Sequence, residues 1–388
     1  MRACAVLAAA LALTGCLRAV PLTGDPMMPA RDAHLSPPQL YKVEWWSPLV
    51  NPGLLEFQPS ETAAPAIDPD TEDVFVGTRD GHFRCVSKLD GAVRWDKKFG
   101  GRMFAGAAVR DGVVYVPSGD GVLRALKAGT GDQLWEYSPG EELVTTPVLA
   151  GGKALLVSQS DTLFAVDTET GKWVWQYRRD LPSGFTVRGA GQPLVDGDRV
   201  YQGFSDGTVV ALGLGDGVAR WEKRVTTSGG SQFLDVDSTP VLEHGMLYVA
   251  SYKDGVAALD AATGDLKWFT ARPGVTSLLP RGDVLFTSGD GQVAGVQAST
   301  GKVLWTLELS EKGGKKGSNS GRGPLLTKSY LLVPTSTALV FVDPSTGTPK
   351  MAWNPGRGIS ATPARLGSRL YVLSNLGDLF ALHLTGGG

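Results

Sequence analysis

Four histidines and three cysteines are all that the 388 residues contain. His34, His82, His244 and His383 stand singly, and neither an HExxH motif nor a paired-cysteine spacing occurs. That excludes the common sequence-coded zinc sites and leaves no metal to predict. Charge of one sign is lacking as well. Lys and Arg number 37 against 39 Asp and Glu, for a formal net charge of -2, so no basic field exists to hold nucleic acid. No apolar run reaches the roughly 20 residues that a membrane-spanning helix needs. Glycine, by contrast, is abundant: 51 residues without a collagen period, against a usual share of about 7%. Glycines of this kind mark turns, and many turns mean many short strands, which disfavours a helical bundle. With 42% hydrophobic and 20% charged residues the chain has the composition of a folded protein. At roughly 150 residues per domain, length alone suggests two or three domains.

The N-terminus reads as a processing signal. Arg2 is followed by an uncharged apolar run over residues 3–13 and then by Leu13-Thr14-Gly15-Cys16. The run is short for a membrane span and right for a signal peptide. The four residues resemble the bacterial lipobox, which implies cleavage before Cys16 and acylation of its new N-terminus. Residues 1–15 are then the signal peptide. Leu17 stands where the lipobox resemblance would read aspartate as inner-membrane retention, which implies the periplasmic face of an outer membrane. Residues 16–40 hold Pro21, Pro26, Pro29, Pro37 and Pro38 and predict an extended tether. Cys85 is left without a disulfide partner, and its apolar setting predicts a buried small hydrophobe.

A repeat fills the remainder, residues 41–388. Glycine stands four positions before tryptophan at Gly91 and Trp95, Gly131 and Trp135, Gly171 and Trp175, Gly217 and Trp221, Gly264 and Trp268, and Gly301 and Trp305. A looser copy pairs Gly347 with Trp353. Each unit holds four short apolar runs separated by turns such as Asp254-Gly255 and Thr263-Gly264. Four antiparallel strands of this kind make one propeller blade, and stacked blades bury the faces that a single blade exposes. An eighth unit runs from Ser360 and ends without its tryptophan strand; that strand occurs instead at the start, in the segment containing Trp45 and Trp46. The pattern predicts an all-β, eight-bladed propeller of four-stranded blades whose last blade is closed by the N-terminal strand. Trp95, Trp135, Trp175, Trp221, Trp268, Trp305 and Trp353 would fill the space between blades.

The Thr-Gly-x-x-x-Trp repeat resembles the PQQ-type propeller repeat over nearly all of residues 41–384. Two families share that repeat: the quinoprotein dehydrogenases and the BamB lipoproteins of the machinery that assembles outer-membrane β-barrels. The dehydrogenases are longer and stack their cofactor on adjacent cysteines, which this chain lacks, so no cofactor is expected. Gly203-Phe-Ser205-Asp-Gly207 matches a nucleophile elbow on paper. It occupies the same strand-to-turn slot as Ser118-Gly-Asp-Gly121, which favours a turn. The BamB resemblance implies a non-catalytic scaffold; a quinoprotein-type enzyme and a generic periplasmic ligand-binding propeller are the alternatives.

The connections after Trp175, Trp221 and Trp305 are enlarged, and in a propeller they share one face. The first holds Phe185, Val187 and Arg188; the second holds Asp235 and Asp237. Both are similar to BamB segments that contact BamA, the central barrel subunit, with Phe185 and Val187 standing where leucines are expected. The resemblance thus implies a partner surface of Phe185, Val187, Arg188, Asp235 and Asp237 for BamA periplasmic domains. It also implies unfolded outer-membrane proteins as clients and the lipid membrane as a partner through the acyl chains. The third connection, residues 310–322, is rich in Lys and Gly and predicts a solvated loop.

Overall fold

The computed structural model describes residues 40–51, 60–180, 190–225, 235–309 and 323–385. Among these residues every regular element is a strand, and the 32 strands form eight antiparallel four-stranded sheets. Blades one to seven cover residues 66–98, 108–137, 148–178, 194–224, 241–271, 277–308 and 325–353. Each is a simple meander. Blade eight combines three strands from residues 364–384 with the N-terminal strand Tyr41–Pro48, as the repeat arithmetic predicts. The two-or-three-domain prior therefore gives way to one closed ring. Eight clusters of buried side chains lie one at each blade junction; Phe75 and Cys85 of blade one, for example, pack with Val114 and Leu126 of blade two. Cys85 is buried, and burial pushes its thiol up to about 12, which suits a small hydrophobe.

The ring has two unlike faces. On the turn face, the hairpin between the third and fourth strands meets the hairpin between the first and second. The bonds from Ala128 N to Gly112 O and from Ala261 N to Gly245 O, at 2.8 and 3.0 Å, make this contact. Leu40 and Thr385 meet on the same face. On the loop face, the turn between the second and third strands meets the connection to the next blade, as between Gly207 O and Val225 N at 3.0 Å.

The tryptophans act across junctions near the turn face. In blades one to six the tryptophan follows a one-residue bulge and sits opposite a small residue: Cys85, Ala125, Ala165, Ala211, Ala258 or Gly295. Its indole N–H donates to a hairpin carbonyl of the next blade, as from Trp95 to Ala128 at 2.8 Å and Trp268 to Ala298 at 2.8 Å. Its ring lies on the glycine of that hairpin. A Cβ on Gly131 or Gly171 would come within 2.8 Å of blade-one side chains or 2.6 Å of Trp135 respectively, and both glycines have positive φ. The glycine and the tryptophan of the repeat thus serve adjacent blades. Trp45, not Trp46, takes the eighth slot: it sits opposite Ala381, donates to Lys88 O at 2.9 Å and covers Gly91.

Trp353 fills the space between blades seven and eight, as expected, but from a different slot. The residue after the bulge of blade seven is Met351, four positions beyond Gly347 and opposite the large Phe341. Trp353 lies two residues further along, fully buried, with ring centroids 5.6 Å from Tyr41 and 5.1 Å from Phe380. Blade eight gives the physical reason. Its outer strand comes from the N-terminus, so no hairpin joins it to the third strand and no hairpin carbonyl is offered to an indole N–H. Methionine has no donor to satisfy and fills the space. We expect Trp353→Ala to cost about 3–5 kcal/mol, the range for truncating buried aromatics. Trp305→Ala should cost less, because Trp305 is only partly buried. Urea unfolding of both variants checks the order.

Candidate partner-docking face

The loop face collects the connections that link each outer strand to the next inner strand. The segments leading into the inner strands of all eight blades surround a cavity of about 1400 Å³ on the propeller axis. Among the described residues no helix is long and apolar enough to cross a membrane, and no group of three or more His, Cys, Asp and Glu is placed to hold a metal.

The two enlarged connections flanking blade four run side by side, as expected for adjacent junctions. Gln192 N donates to Thr239 Oγ1 at 3.0 Å, and a Cβ on Gly191 would meet Ser238 O at 2.4 Å. Phe185, Val187 and Arg188 lie outside the described residues, as do Cys16 and residues 310–322. Ala190, the first described residue after Arg188, packs at the edge of the junction between blades three and four.

Asp235 and Asp237 are close to one another but differ in setting. Asp235 is 1% exposed, and its carbonyl accepts Tyr252 N at 3.3 Å. Asp237 lines the axial cavity. Burial pushes its carboxyl up to about 7, and the neighbouring Asp235 adds to the shift; its Oδ1 has no hydrogen-bond partner among the described residues. Of the two candidate partner-binding residues, Asp235 is thus buried and Asp237 faces the axial cavity.

Asp237 carries a pH prediction. Its folded value of about 7 exceeds the ordinary 3.8, so the folded state holds this proton more tightly than the unfolded chain does. The stabilisation is fully present below the ordinary value and is lost as pH rises to about 7. Glu61, buried and also pushed up to about 7, acts in the same direction. Thermal melts should therefore fall as pH climbs through this window. Asp237→Asn should flatten part of that slope and leave the part due to Glu61.

Asp161 and Arg179 were not singled out from the sequence. Asp161 is buried at positive φ and accepts Ser205 N at 2.9 Å and Ser205 Oγ at 3.0 Å, tying blade three to blade four. Burial raises its carboxyl, and Asp206 and Asp235 raise it further against the two Ser205 bonds. Ser205 is therefore a cross-blade link at a turn, with its hydroxyl directed to a carboxylate. Arg179 bridges Asp206 at 2.7 Å and Glu222 at 3.0 Å, both in blade four. The available signal was the Ser160-Asp161 pair standing where other blades read Asp-Gly: a non-glycine at a positive-φ slot marks a position held by something else.

Comparison with known proteins agrees with this architecture. A family model described as "Outer membrane protein assembly factor BamB" matches residues 79–306 and 289–387. The chain is 27% identical over 208 residues to the assembly factor BamB of Legionella pneumophila (strain Paris), covering 51% of this chain and 52% of that protein. It is 26% identical over 211 residues to the Pseudomonas aeruginosa protein of the same name, covering 50% and 52%. The chain thus spans about half the length of the curated relatives it matches. In fold it is similar to the crystal structure of BamB from Moraxella catarrhalis, with a TM-score of 0.72 and 24% identity over 84% of this chain and 98% of that one. It is also similar in fold to a quinohemoprotein alcohol dehydrogenase from Comamonas testosteroni, with a TM-score of 0.70 at 15% identity over 90% of this chain and 77% of that one. An eight-bladed ring matched by that family model over most of its length belongs to the outer membrane protein assembly factor BamB family.

Proposed function

We propose that this chain is a non-catalytic scaffold in outer-membrane β-barrel assembly. Acyl chains on Cys16 hold it to the periplasmic leaflet of the outer membrane, and its loop face docks on the periplasmic domains of a BamA-like barrel protein. The observation that carries the docking site is the contact between the two enlarged connections, at Gln192 and Thr239. Gln192 stands four positions after Arg188 and Thr239 two after Asp237 in the sequence, which supports a shared surface for the two segments. An interface there would have apolar residues at its centre and an Arg to set register. The described residues begin on the opposite, turn face, where Leu40 meets Thr385. The 24 residues from Leu17 to Leu40 reach at most roughly 80 Å when extended, so the anchor leaves the loop face free to turn toward a partner.

Crosslinking and capture from native membranes tests the reading: a large membrane barrel protein should copurify. Capture of no barrel, together with a quinone chromophore on adding PQQ and calcium, would replace the scaffold with an enzyme. Cys16→Ser should release the protein from the membrane fraction, because two or more acyl chains hold a bilayer far more firmly than one. A variant that still pellets after a salt wash would show a different anchor.

A further inference from the structure

The axial cavity holds a cation whose hydrogen bonds all go to neutral groups. Arg272 directly follows the outer strand Leu266–Ala271 of blade five and lines the cavity. Its Nε donates to Thr287 Oγ1 at 3.2 Å, its Nη1 to Thr306 Oγ1 at 3.5 Å and its Nη2 to Gln292 Oε1 at 3.4 Å. Among the described residues no carboxylate stands within ion-pair distance of it. Glu308 exerts an attractive field on it, but Glu308 Oε1 accepts Gln292 Nε2 at 2.7 Å. A guanidinium has five N–H groups, so one on each Nη is left over. One remaining N–H on each Nη can donate to two oxygens of a carboxylate or phosphate. Three side chains from blade six hold the fork in place before any ligand arrives, which lowers the entropic cost of binding.

The surroundings select among anions. Lys253 lies on the same wall, and Asp237 and Asp290 line it as well. Asp237 keeps its proton up to about pH 7, so below that pH two cations face one ionised carboxylate, which leaves room for one added negative charge. Tyr252 also lines the cavity and adds an aromatic ring to the lining. The rest of the wall mixes apolar residues such as Phe104 and Val144 with polar ones such as Thr146, Thr239 and Gln192, which suits a peptide with both side chains and main-chain donors and acceptors to place. At about 1400 Å³ the cavity exceeds the usual small-molecule pocket of roughly 300–1,000 Å³ and has room for several residues. We propose that the Arg272 corner of the axial cavity binds a carboxylate carried by an extended peptide segment. Burial lowers the guanidinium's proton affinity, a penalty that a bound carboxylate would relieve. The inference does not depend on which protein docks on the loop face.

The test uses the full-length protein in detergent micelles, followed by nitrogen-15 NMR of arginine side chains. The Arg272 Nε–H signal is the one missing from Arg272→Gln. The probe is the tetrapeptide acetyl-Ser-Val-Thr-Val with a free C-terminus, and the comparison is its C-terminal amide. The acid should shift the Arg272 signal saturably and the amide should not. Arg272→Gln should weaken binding of the acid by about tenfold or more, followed on other shifting signals, with an unchanged melt. Arg272→Lys keeps the charge and loses the fork, so it should bind in between. Equal shifts by the amide, undiminished binding by Arg272→Gln, or no saturable shift would overturn the assignment. So would inorganic phosphate binding more tightly than the peptide acid, since that identifies a general oxyanion site.

Discussion

A chain that begins at Leu49, without the strand Tyr41–Pro48, is expected to lose cooperative unfolding altogether. The strand pairs with Asp378–Leu384 from Tyr41 opposite Leu384 to Pro48 opposite Asp378. It carries two buried rings, Tyr41 at 0% and Trp45 at 9% exposure, which serve the junctions with blades seven and one. Removing each ring should cost about 3–5 kcal/mol. Together that approaches or exceeds the roughly 5–15 kcal/mol by which folded proteins are stable. The same cut bares the edge of Asp378–Leu384, where Leu379, Phe380, Ala381 and Leu382 are buried in the intact ring, and such an edge pairs with other chains. Further closure contacts would lose their frame. Arg79 Nη1 lies 3.0 Å from Glu61 Oε1 and donates to Asn375 O at 3.1 Å, and Arg369 Nε donates to Glu44 at 2.6 Å. Near-ultraviolet circular dichroism with urea unfolding and size-exclusion chromatography reads the outcome. A truncated chain that stays monomeric and melts cooperatively near the intact one would show that the ring does not depend on this strand.

Arg188→Glu should weaken capture of the BamA-like partner by roughly 30-fold to several thousand-fold. The figure follows from the 2–5 kcal/mol typical of removing one member of a buried, hydrogen-bonded interfacial charge pair, at about 1.4 kcal/mol per tenfold. The melt should stay close to that of the unsubstituted protein. Lys127→Glu is the control: Lys127 is exposed in a hairpin on the turn face, away from the enlarged connections, and should bind normally. Normal capture by Arg188→Glu would show that the site lies elsewhere on the ring. A collapsed melt would place Arg188 in an internal ion pair, for which the buried Asp235 and the cavity-facing Asp237 are the candidate partners.

The blade count, the four strands per blade and the closure by the N-terminal strand were legible because their causes are local. A glycine at positive φ and a tryptophan four residues on both belong to one hairpin and its outgoing strand, so their spacing survives in the linear chain. The neighbourhood of the two enlarged connections was legible too, since adjacent blades must bring adjacent connections together. The choice of Trp45 over Trp46 was not legible, because it depends on Ala381 opposite and Gly91 beneath, more than three hundred and more than forty residues away. Trp353 fills its junction as expected, but its slot was not legible for a similar reason: a carbonyl missing from the next blade put Met351 at the usual position. Only the tertiary structure buried Asp235, turned Asp237 to the cavity and set Asp161 on Ser205. It also left Arg272 facing the axis among neutral acceptors drawn from blade six. Turn chemistry and strand period act between near neighbours and can be read along the chain. Burial and charge compensation depend on what the closed ring brings alongside, and closure is a property of all eight blades at once.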